Sequence, residues 1–255
     1  AIELNVIGLI NIQFAYKDDI LYVLEVNPRA SRTTPFVSKS TNVPLAKIAA
    51  QLSVGQKLKN YNLPRWDSIN HVSIKEAVLP FNKFPAESIF LSPEMKSTGE
   101  VMGISENFGL SFFKATLSAG IKLPESGLVF ISVNNEDKFK IISIARAFKE
   151  LGFNIVATEG TAKELIKNGM SAETVYKVGE GRPNIVDRIK NNEIDVVINT
   201  PLGAQSRYDE EAIGKACIQK SIMAITTLSA ADAVLYAIRT KNKIKVKSIQ
   251  EYHSN

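Results

Sequence analysis

A short polar cluster follows an apolar run near the start of the chain. Glu25 and Asn27 end the run ILYVLEVN, and Arg29 and Arg32 come directly after it. Residues two apart in a β-strand project to the same face, and a hairpin with the preceding segment NIQFA would add Gln13 beside them. Three oxygen donors with one charge suit Mg²⁺ or Mn²⁺, which takes its remaining ligands from phosphate. From spacing alone, a hairpin with a polar edge explains the pattern at least as well.

A second group of polar side chains lies at predicted strand ends in the C-terminal half. The segment ATEGTAKEL joins a strand to a helix, where free backbone N–H groups attract anions. Ligands of an open parallel sheet bind at the carboxyl ends of its strands. The donors predicted at this edge are Ser132, Lys138, Thr158, Thr161, Lys177, Asn199 and Thr200. The threonines could instead cap a helix and the lysines be solvated, but convergence of several donors favours an anion site.

The secondary-structure elements that must position these residues follow different patterns in the two halves of the chain. The N-terminal half predicts a hairpin with an acidic turn, a helix after Pro44 and a helix capped by Ser105. From Gly127 onward, apolar strands alternate with amphipathic helices, which predicts a parallel sheet with helices on both faces. The change falls in IKLPESG, residues 121–127, and predicts a domain boundary there.

Composition limits the function classes. The chain has 255 residues, 45% of them hydrophobic, and a net charge of +5. The basic residues are spread out, whereas a nucleic-acid interface needs a dense basic face with aromatics, so no nucleic-acid partner is predicted. No apolar run is long enough for a bilayer, and no secretory signal leads the chain. A cytoplasmic protein without a membrane partner is therefore predicted.

Three residues argue against cysteine or histidine chemistry. Cys217 is the single cysteine and is predicted to pack as a small apolar residue on a helix. His71 and His253 are far apart in the sequence and lack partners at metal spacing. The chain starts with Ala1 and enters a strand-like segment at once, so a piece of a longer protein is expected.

The longer string around the first cluster carries a family resemblance. The segment LEVNPRASRTTPFVSKSTNVPLAKIAAQLSVGQKL, with KEAVLPFNKFP and SPEMKSTGEVMG, resembles the end of the second ATP-grasp module of carbamoyl-phosphate synthase large chains. The resemblance implies that Gln13, Glu25 and Asn27 bind the metal bridging the ATP phosphates. Gln13 and Glu25 would also contact ATP. As catalytic residues, Arg29 and Arg32 would face the transferring phosphoryl or carbamate group.

That resemblance also implies a reaction and partners. In the family, this module phosphorylates carbamate to carbamoyl phosphate with ATP as substrate, for pyrimidine and arginine synthesis. Bicarbonate supplies the carbon, and a small amidotransferase (glutaminase) subunit supplies nitrogen from glutamine. The earlier portion of the ATP-grasp module is not visible in the 255 residues. The isolated polypeptide is therefore expected to lack synthase activity.

The C-terminal half resembles another part of the same family. The segments DKFKIISIARAFKELGFNIVATEGTA and GEGRPNIVDRIKNNEIDVVINTP resemble the methylglyoxal-synthase-like allosteric domain. The resemblance implies that the seven donors of the second group contact a nucleotide monophosphate, with UMP inhibiting and IMP activating in bacterial relatives. Pro201 stands where another hydroxyl is expected. The predicted α/β fold is a partial ATP-grasp (α+β) segment over 1–122, followed by a doubly wound parallel-sheet domain over 123–255.

Two further implications remain open. Glu76 and Thr226 match positions that hold ornithine in some relatives, but Ala224 replaces an expected tyrosine. A lyase acting as a true methylglyoxal synthase would need a carboxylate base, and Gly181-Arg182-Pro183-Asn184 offers no acid at the matching place. Asp187 is predicted to lie on a helix surface. A stand-alone nucleotide-sensing module without ligase activity is the remaining alternative.

Overall fold

The computed structural model describes residues 1–65, 68–79, 97, 99–200 and 206–254. The chain divides into two compact units, one formed by residues 1–73 with the residues from 245 onward, the other by 74–244. The second unit therefore includes residues before the predicted boundary at 122/123, and that boundary stays a prediction.

The first unit begins with the predicted hairpin. β1 (Asn11–Lys17) and β2 (Ile20–Asn27) pair antiparallel. Asp18 and Asp19 form the turn with φ of 51° and 60°, the left-handed region that two-residue hairpin turns require. The register places Gln13 opposite Glu25 and shifts after Gln13, because Leu24 has no cross-strand partner.

Two short helices follow the hairpin. α1 (Thr33–Thr41) starts immediately after Arg32 and ends at Asn42, which adopts a left-handed conformation with φ of 58°. α2 (Leu45–Ser53) begins after Pro44, as predicted, and buries Ile48. A 3-10 turn over Leu58–Asn60 closes this stretch.

A two-stranded sheet and a helix precede the parallel sheet. β3 (Val72–Val78) pairs with β4 (Gly99–Ser105), and α3 (Phe108–Ser118) comes next. The prediction that Ser105 caps α3 is wrong, because Ser105 ends β4. Asn107 caps the helix instead, and its side-chain oxygen accepts a 3.0 Å hydrogen bond from the Leu110 amide.

The parallel sheet has five strands in the order β7-β6-β5-β8-β9. The strands are β5 (Gly127–Val133), β6 (Phe153–Thr158), β7 (Glu173–Val175), β8 (Val196–Thr200) and β9 (Met223–Ile225). The helices are α4 (Lys138–Glu150), α5 (Glu159–Lys167), α6 (Ile185–Lys190), α7 (Ser206–Lys220) and α8 (Leu228–Thr240). All four strand pairings are parallel, which confirms the predicted α/β sheet.

Apolar clusters cover both faces of this sheet. Val129 and Ile131 of β5 join one cluster with residues of α4, α5 and α8, whereas Phe130 joins a second with residues of α6 and α7. Alternating residues of a strand point to opposite faces, so the sheet is doubly wound. Cys217 packs in the second cluster as predicted, and burial raises the pKa of its thiol to about 12. A thiol with that pKa stays protonated and unreactive at neutral pH.

The chain ends with a return to the first unit. After a 3-10 turn over Lys241–Lys243, α9 (Ile249–Tyr252) begins with a capping box between Ser248 and Glu251. Across the described parts of the chain, we find no helix with the length and apolar character that crossing a membrane requires.

Candidate functional site

The hairpin brings the first predicted cluster together on one face. Gln13 and Glu25 are direct cross-strand partners, and such partners project to the same side of the ribbon. Asn27 lies two residues beyond Glu25, and its Nδ2 donates a 2.8 Å hydrogen bond to the Glu25 Oε1. Asn11 pairs with Asn27 and completes the polar face, although the sequence reasoning missed it.

The oxygen donors of this face suit a hard cation that takes its remaining ligands from phosphate. Two amide oxygens and the exposed Glu25 carboxylate are available, with a single negative charge among them. Within the residues that the structure describes, no group of three or more His, Cys, Asp or Glu could hold a metal. A metal here would therefore need oxygens from a bound phosphate or water, which is the usual arrangement for Mg²⁺.

The arginine loop after β2 is tied back to this face. The Ser31 hydroxyl accepts hydrogen bonds from Asn11 Nδ2 at 3.4 Å and from the Thr33 amide at 3.2 Å. The Arg29 amide donates to the Asn27 carbonyl at 2.8 Å. The exposed Arg29 guanidinium donates to the Ala30 carbonyl at 3.1 Å. These bonds fix the backbone of the loop that carries Arg29 and Arg32 and that follows Glu25 and Asn27 in the chain.

The second predicted group surrounds a cavity at the carboxyl ends of β5, β6 and β8. The cavity has a volume of about 150 Å³. It is lined by Phe130, Ser132, Val133, Asn134, Thr158, Lys177, Val178, Ile185, Asn199, Thr200, Asp209 and Ile213. Five of the seven predicted donors are among these residues, and they stand beside apolar side chains. A cavity lined by both polar and apolar side chains matches a phosphate attached to a ring system.

Three hydroxyl groups form a network at this cavity. The Thr158 hydroxyl lies 3.3 Å from the Ser132 hydroxyl and 3.4 Å from that of Thr161. Thr161 is buried and its hydroxyl accepts a hydrogen bond from the Val133 amide at 3.3 Å. Thr158 occupies the N-cap position of α5, yet its side chain makes no capping hydrogen bond. The capping interpretation therefore fails for Thr158, whose hydroxyl is turned toward its neighbouring hydroxyls.

Two lysines supply positive charge near this network. Lys177 lines the cavity, while Lys138 opens α4 and is absent from the cavity lining. Lys138 reaches α5 instead, since a Cβ added to Gly160 would lie only 3.3 Å from its Nζ. The glycine thus leaves room for the ammonium group beside the α5 N-terminus, where free N–H groups also favour an anion.

The structure adds two polar residues that the sequence reasoning missed. Asn134 follows β5, and its Nδ2 donates to the Thr200 carbonyl at 3.2 Å. The strand-end rule could have found it, because it comes one residue after the strand. Asp209 lies in the first turn of α7. Acidic residues are common there because they interact favourably with the helix dipole, so the sequence gives no sign that Asp209 lines a cavity. Burial raises the pKa of Asp209, Lys177 lowers it, and Glu180 raises it further.

The residues predicted to hold ornithine lie elsewhere. Thr226 lines a wider cleft of about 930 Å³ between the ends of α4 and α8. Glu76 lies on β3, and burial raises the pKa of its carboxyl. Ala224 is the middle residue of β9. Pro201 falls outside the described residues.

Asp187 and the histidines also have clear positions. Asp187 accepts a 3.0 Å hydrogen bond from the Asn184 amide and completes the capping box of α6, so its carboxylate is structural. The two histidines, which are far apart in the sequence, lie next to each other in the fold. The rings of His71 and His253 stand edge to face with centroids 5.2 Å apart. Folding returns the C-terminus to the first unit and so joins residues that sequence spacing separates.

Comparisons with known families match both halves of the chain. The family described as "Carbamoyl-phosphate synthase L chain, ATP binding domain" matches residues 1–61, and the family described as "MGS-like domain" matches residues 140–226. Both the hairpin cluster and most of the strand-end donors fall within these matches.

Similar proteins extend the match over the whole chain. The carbamoyl phosphate synthase large chain of Archaeoglobus fulgidus is 53% identical over 99% of this chain, which spans 24% of that protein. The large chain of Acidobacterium capsulatum is 52% identical over 100% of this chain, which again spans 24%. A protein of Aquifex aeolicus described as the large chain's C-terminal section is 47% identical over 100% of this chain, and this chain spans 52% of that protein. The chain thus spans a quarter to a half of these relatives.

One solved structure has a weaker likeness. It is a methylglyoxal synthase from Elizabethkingia anophelis, with a TM-score of 0.39 and 16% identity, covering 49% of this chain and 96% of the other.

Proposed function

Because the chain belongs to the family of carbamoyl phosphate synthase large chains, whose C-terminal section it matches, we propose that it serves in phosphorylating carbamate with ATP. The supporting observation is the convergence of Gln13, Glu25 and Asn27 on one face of the hairpin, beside the arginine loop.

Each residue of this cluster has a separate task in the proposed reaction. Gln13, Glu25 and Asn27 would hold Mg²⁺ or Mn²⁺, which neutralises phosphate charge when bound. Gln13 and Glu25 also contact ATP in this proposal. Arg29 and Arg32 orient and stabilise the transferring phosphoryl group through paired N–H donors. Asn11 holds the arginine loop in register through the Ser31 hydroxyl.

The cavity at the carboxyl ends of β5, β6 and β8 is proposed as a nucleotide-monophosphate site that regulates the enzyme. Lys138, Thr158 and Thr161 take the phosphate near the α5 N-terminus, and Lys177 adds charge. Ser132, Asn199 and Thr200 line the same cavity and offer further hydrogen bonds. UMP and IMP are the proposed effectors. Glu76 and Thr226 are proposed as ornithine contacts, and the wide cleft at Thr226 has room for an amino acid.

The wider context follows from the family. The proposal includes a glutamine-hydrolysing small subunit, bicarbonate as carbon source, and a cytoplasmic place in pyrimidine and arginine synthesis. Expressed alone, the 255 residues are proposed not to make carbamoyl phosphate.

A chimera tests the proposal. The 255 residues would replace the matching C-terminal section of a relative's large chain, and carbamoyl phosphate would be measured with ammonia, bicarbonate and ATP, so that no glutaminase is needed. We expect ATP-dependent synthesis by the chimera, a change on adding UMP or IMP, and none by the isolated chain. An inactive but folded chimera would argue against the assignment.

One observation keeps a lyase as a second candidate. Asp209 places a half-buried carboxylate with a raised pKa in the phosphate cavity, which a proton-abstracting lyase requires. Release of methylglyoxal from dihydroxyacetone phosphate, abolished by Asp209→Asn, would establish this activity. No release by the wild-type chain would leave the cavity a sensor.

A further inference from the structure

The two histidines of the chain meet at the C-terminal end of α1. The His71 Nε2 lies 2.9 Å from the Ser40 carbonyl oxygen, and the His253 Nε2 lies 2.8 Å from the Lys39 carbonyl oxygen. A carbonyl oxygen only accepts hydrogen bonds, so both Nε2 atoms carry hydrogen and donate. Two ring donors from distant parts of the sequence thus cap adjacent carbonyls of one helix.

Helix α1 depends on such outside support. It has nine residues, TTPFVSKST, and none of them is buried. Several are β-branched, and so short a helix is marginal in isolation. The last four carbonyls of a helix have no partner within it, and the histidines satisfy two of them. The side chain of Arg32 at the N-cap makes no capping hydrogen bond.

The segment that supplies His253 is ordered by its own contacts. We call residues 248–254 the C-terminal latch. Its capping box joins Ser248 and Glu251, with the Glu251 amide 3.3 Å from the Ser248 hydroxyl. The Tyr252 ring stands edge to face with His71 at a centroid distance of 5.7 Å. The latch therefore meets α1 as a folded element, with aromatic contacts behind the hydrogen bonds.

The opposite end of α1 carries the arginine loop. The helix begins one residue after Arg32, and the Ser31 amide lies 3.3 Å from the Thr34 hydroxyl within its first turn. Fraying or displacement of α1 would release this bond and move the loop. We propose that His71 and His253 are positioning residues, which hold α1 and through it Arg29 and Arg32.

The effect of α1 on turnover through Arg29 and Arg32 rests on the proposed function, whereas the capping of α1 by the two histidines does not.

Hydrogen exchange of the 255-residue chain tests whether the latch stabilises α1, and it requires no measurement of enzyme activity. His253→Ala removes one donor and should speed exchange of the α1 amides about fivefold, as expected for a hydrogen bond of ordinary strength. His253→Gln retains an N–H donor and should restore most of the protection. Val246→Ala, at a residue 95% exposed just outside the latch, is the matched control.

Exchange in α5 serves as an internal reference for global stability. We expect it to stay constant in all three variants. Unchanged α1 protection in His253→Ala, or equal loss in α1 and α5, would overturn the inference.

Turnover in the chimeric large chain tests the positioning role. His253→Ala should lower the turnover number and His253→Gln should recover it, with Val246→Ala unaffected. Equal turnover in all variants of an active chimera would refute positioning. An inactive wild-type chimera would instead count against the proposed synthase, while the exchange result would stand.

Discussion

Gln13 and Glu25 face each other across the β1–β2 hairpin, and Asn27 donates a 2.8 Å hydrogen bond to the same carboxylate. The two-residue turn at Asp18 and Asp19 aligns Phe14 with Val23, and the bulge at Leu24 then brings Glu25 opposite Gln13. A shift by one residue would move Gln13 to the other face of the ribbon and separate the three side chains. The cation site proposed here is thus a consequence of hairpin register.

Removing the charge of Glu25 should disable the first cluster. In the chimeric large chain, we expect Glu25→Gln to lower ATP-dependent carbamoyl phosphate synthesis by about a hundredfold or more. Loss of groups that merely support metal ligands already costs about 10–100-fold. The rate would be measured over a range of Mg²⁺ and Mn²⁺ concentrations. Excess metal should recover only part of it, because the lost ligand carries the cluster's one charge.

Asp18→Asn is the control for that experiment. It removes an acid from the same hairpin, at an exposed turn residue with positive φ where asparagine is equally accommodated. Its rate should match wild type. A Glu25→Gln enzyme as active as this control would show that the carboxylate holds no essential metal.

Gly103 should be intolerant of any side chain. A Cβ added there would lie 1.9 Å from the Ser111 carbonyl oxygen and 2.5 Å from the Ala115 amide nitrogen, both in α3. Gly103→Ala should therefore lower the free energy of unfolding by about 1–3 kcal/mol, as overpacking of a close contact does. Gly99→Ala, on the same strand and with no atom of the described residues within 4 Å of the added Cβ, should be neutral in the same denaturant titration. Equal stabilities of the two variants would contradict this packing.

The raised pKa of Asp209 predicts the direction in which the stability of the protein changes with pH. In the pH range between the ordinary aspartate pKa and its raised native pKa, the native state binds more protons than the unfolded state. Stability therefore falls as pH rises through that range. Asp209→Asn should unfold at a higher temperature than wild type at pH 7, and the difference should vanish on acidification. A Glu210→Gln variant corrects for net charge, and a gain that persists at low pH would refute burial as the cause.

The hairpin, the parallel sheet and the strand-end donors were accessible from sequence because each depends on local pattern. Alternation and an acidic turn predict the hairpin, and apolar strands with amphipathic helices predict the sheet. Three features were not accessible. The Asn107 cap lies only two residues beyond Ser105, within the usual error of helix boundaries. The cavity position of Asp209 and the meeting of His71 with His253 arise from packing between distant segments.

Calorimetric titration of the 255-residue chain with UMP and with IMP tests the central claim most directly, with inorganic phosphate as the reference ligand. We expect at least one nucleotide to bind more tightly than phosphate. Lys138→Ala should weaken that binding about 10–100-fold, as loss of a charged hydrogen bond does. Lys140 lies on the same helix but lines the wider cleft at Thr226. The nucleotide affinity of Lys140→Ala should therefore stay within about twofold of wild type. Absence of binding by either nucleotide, or equal loss in both variants, would contradict the account.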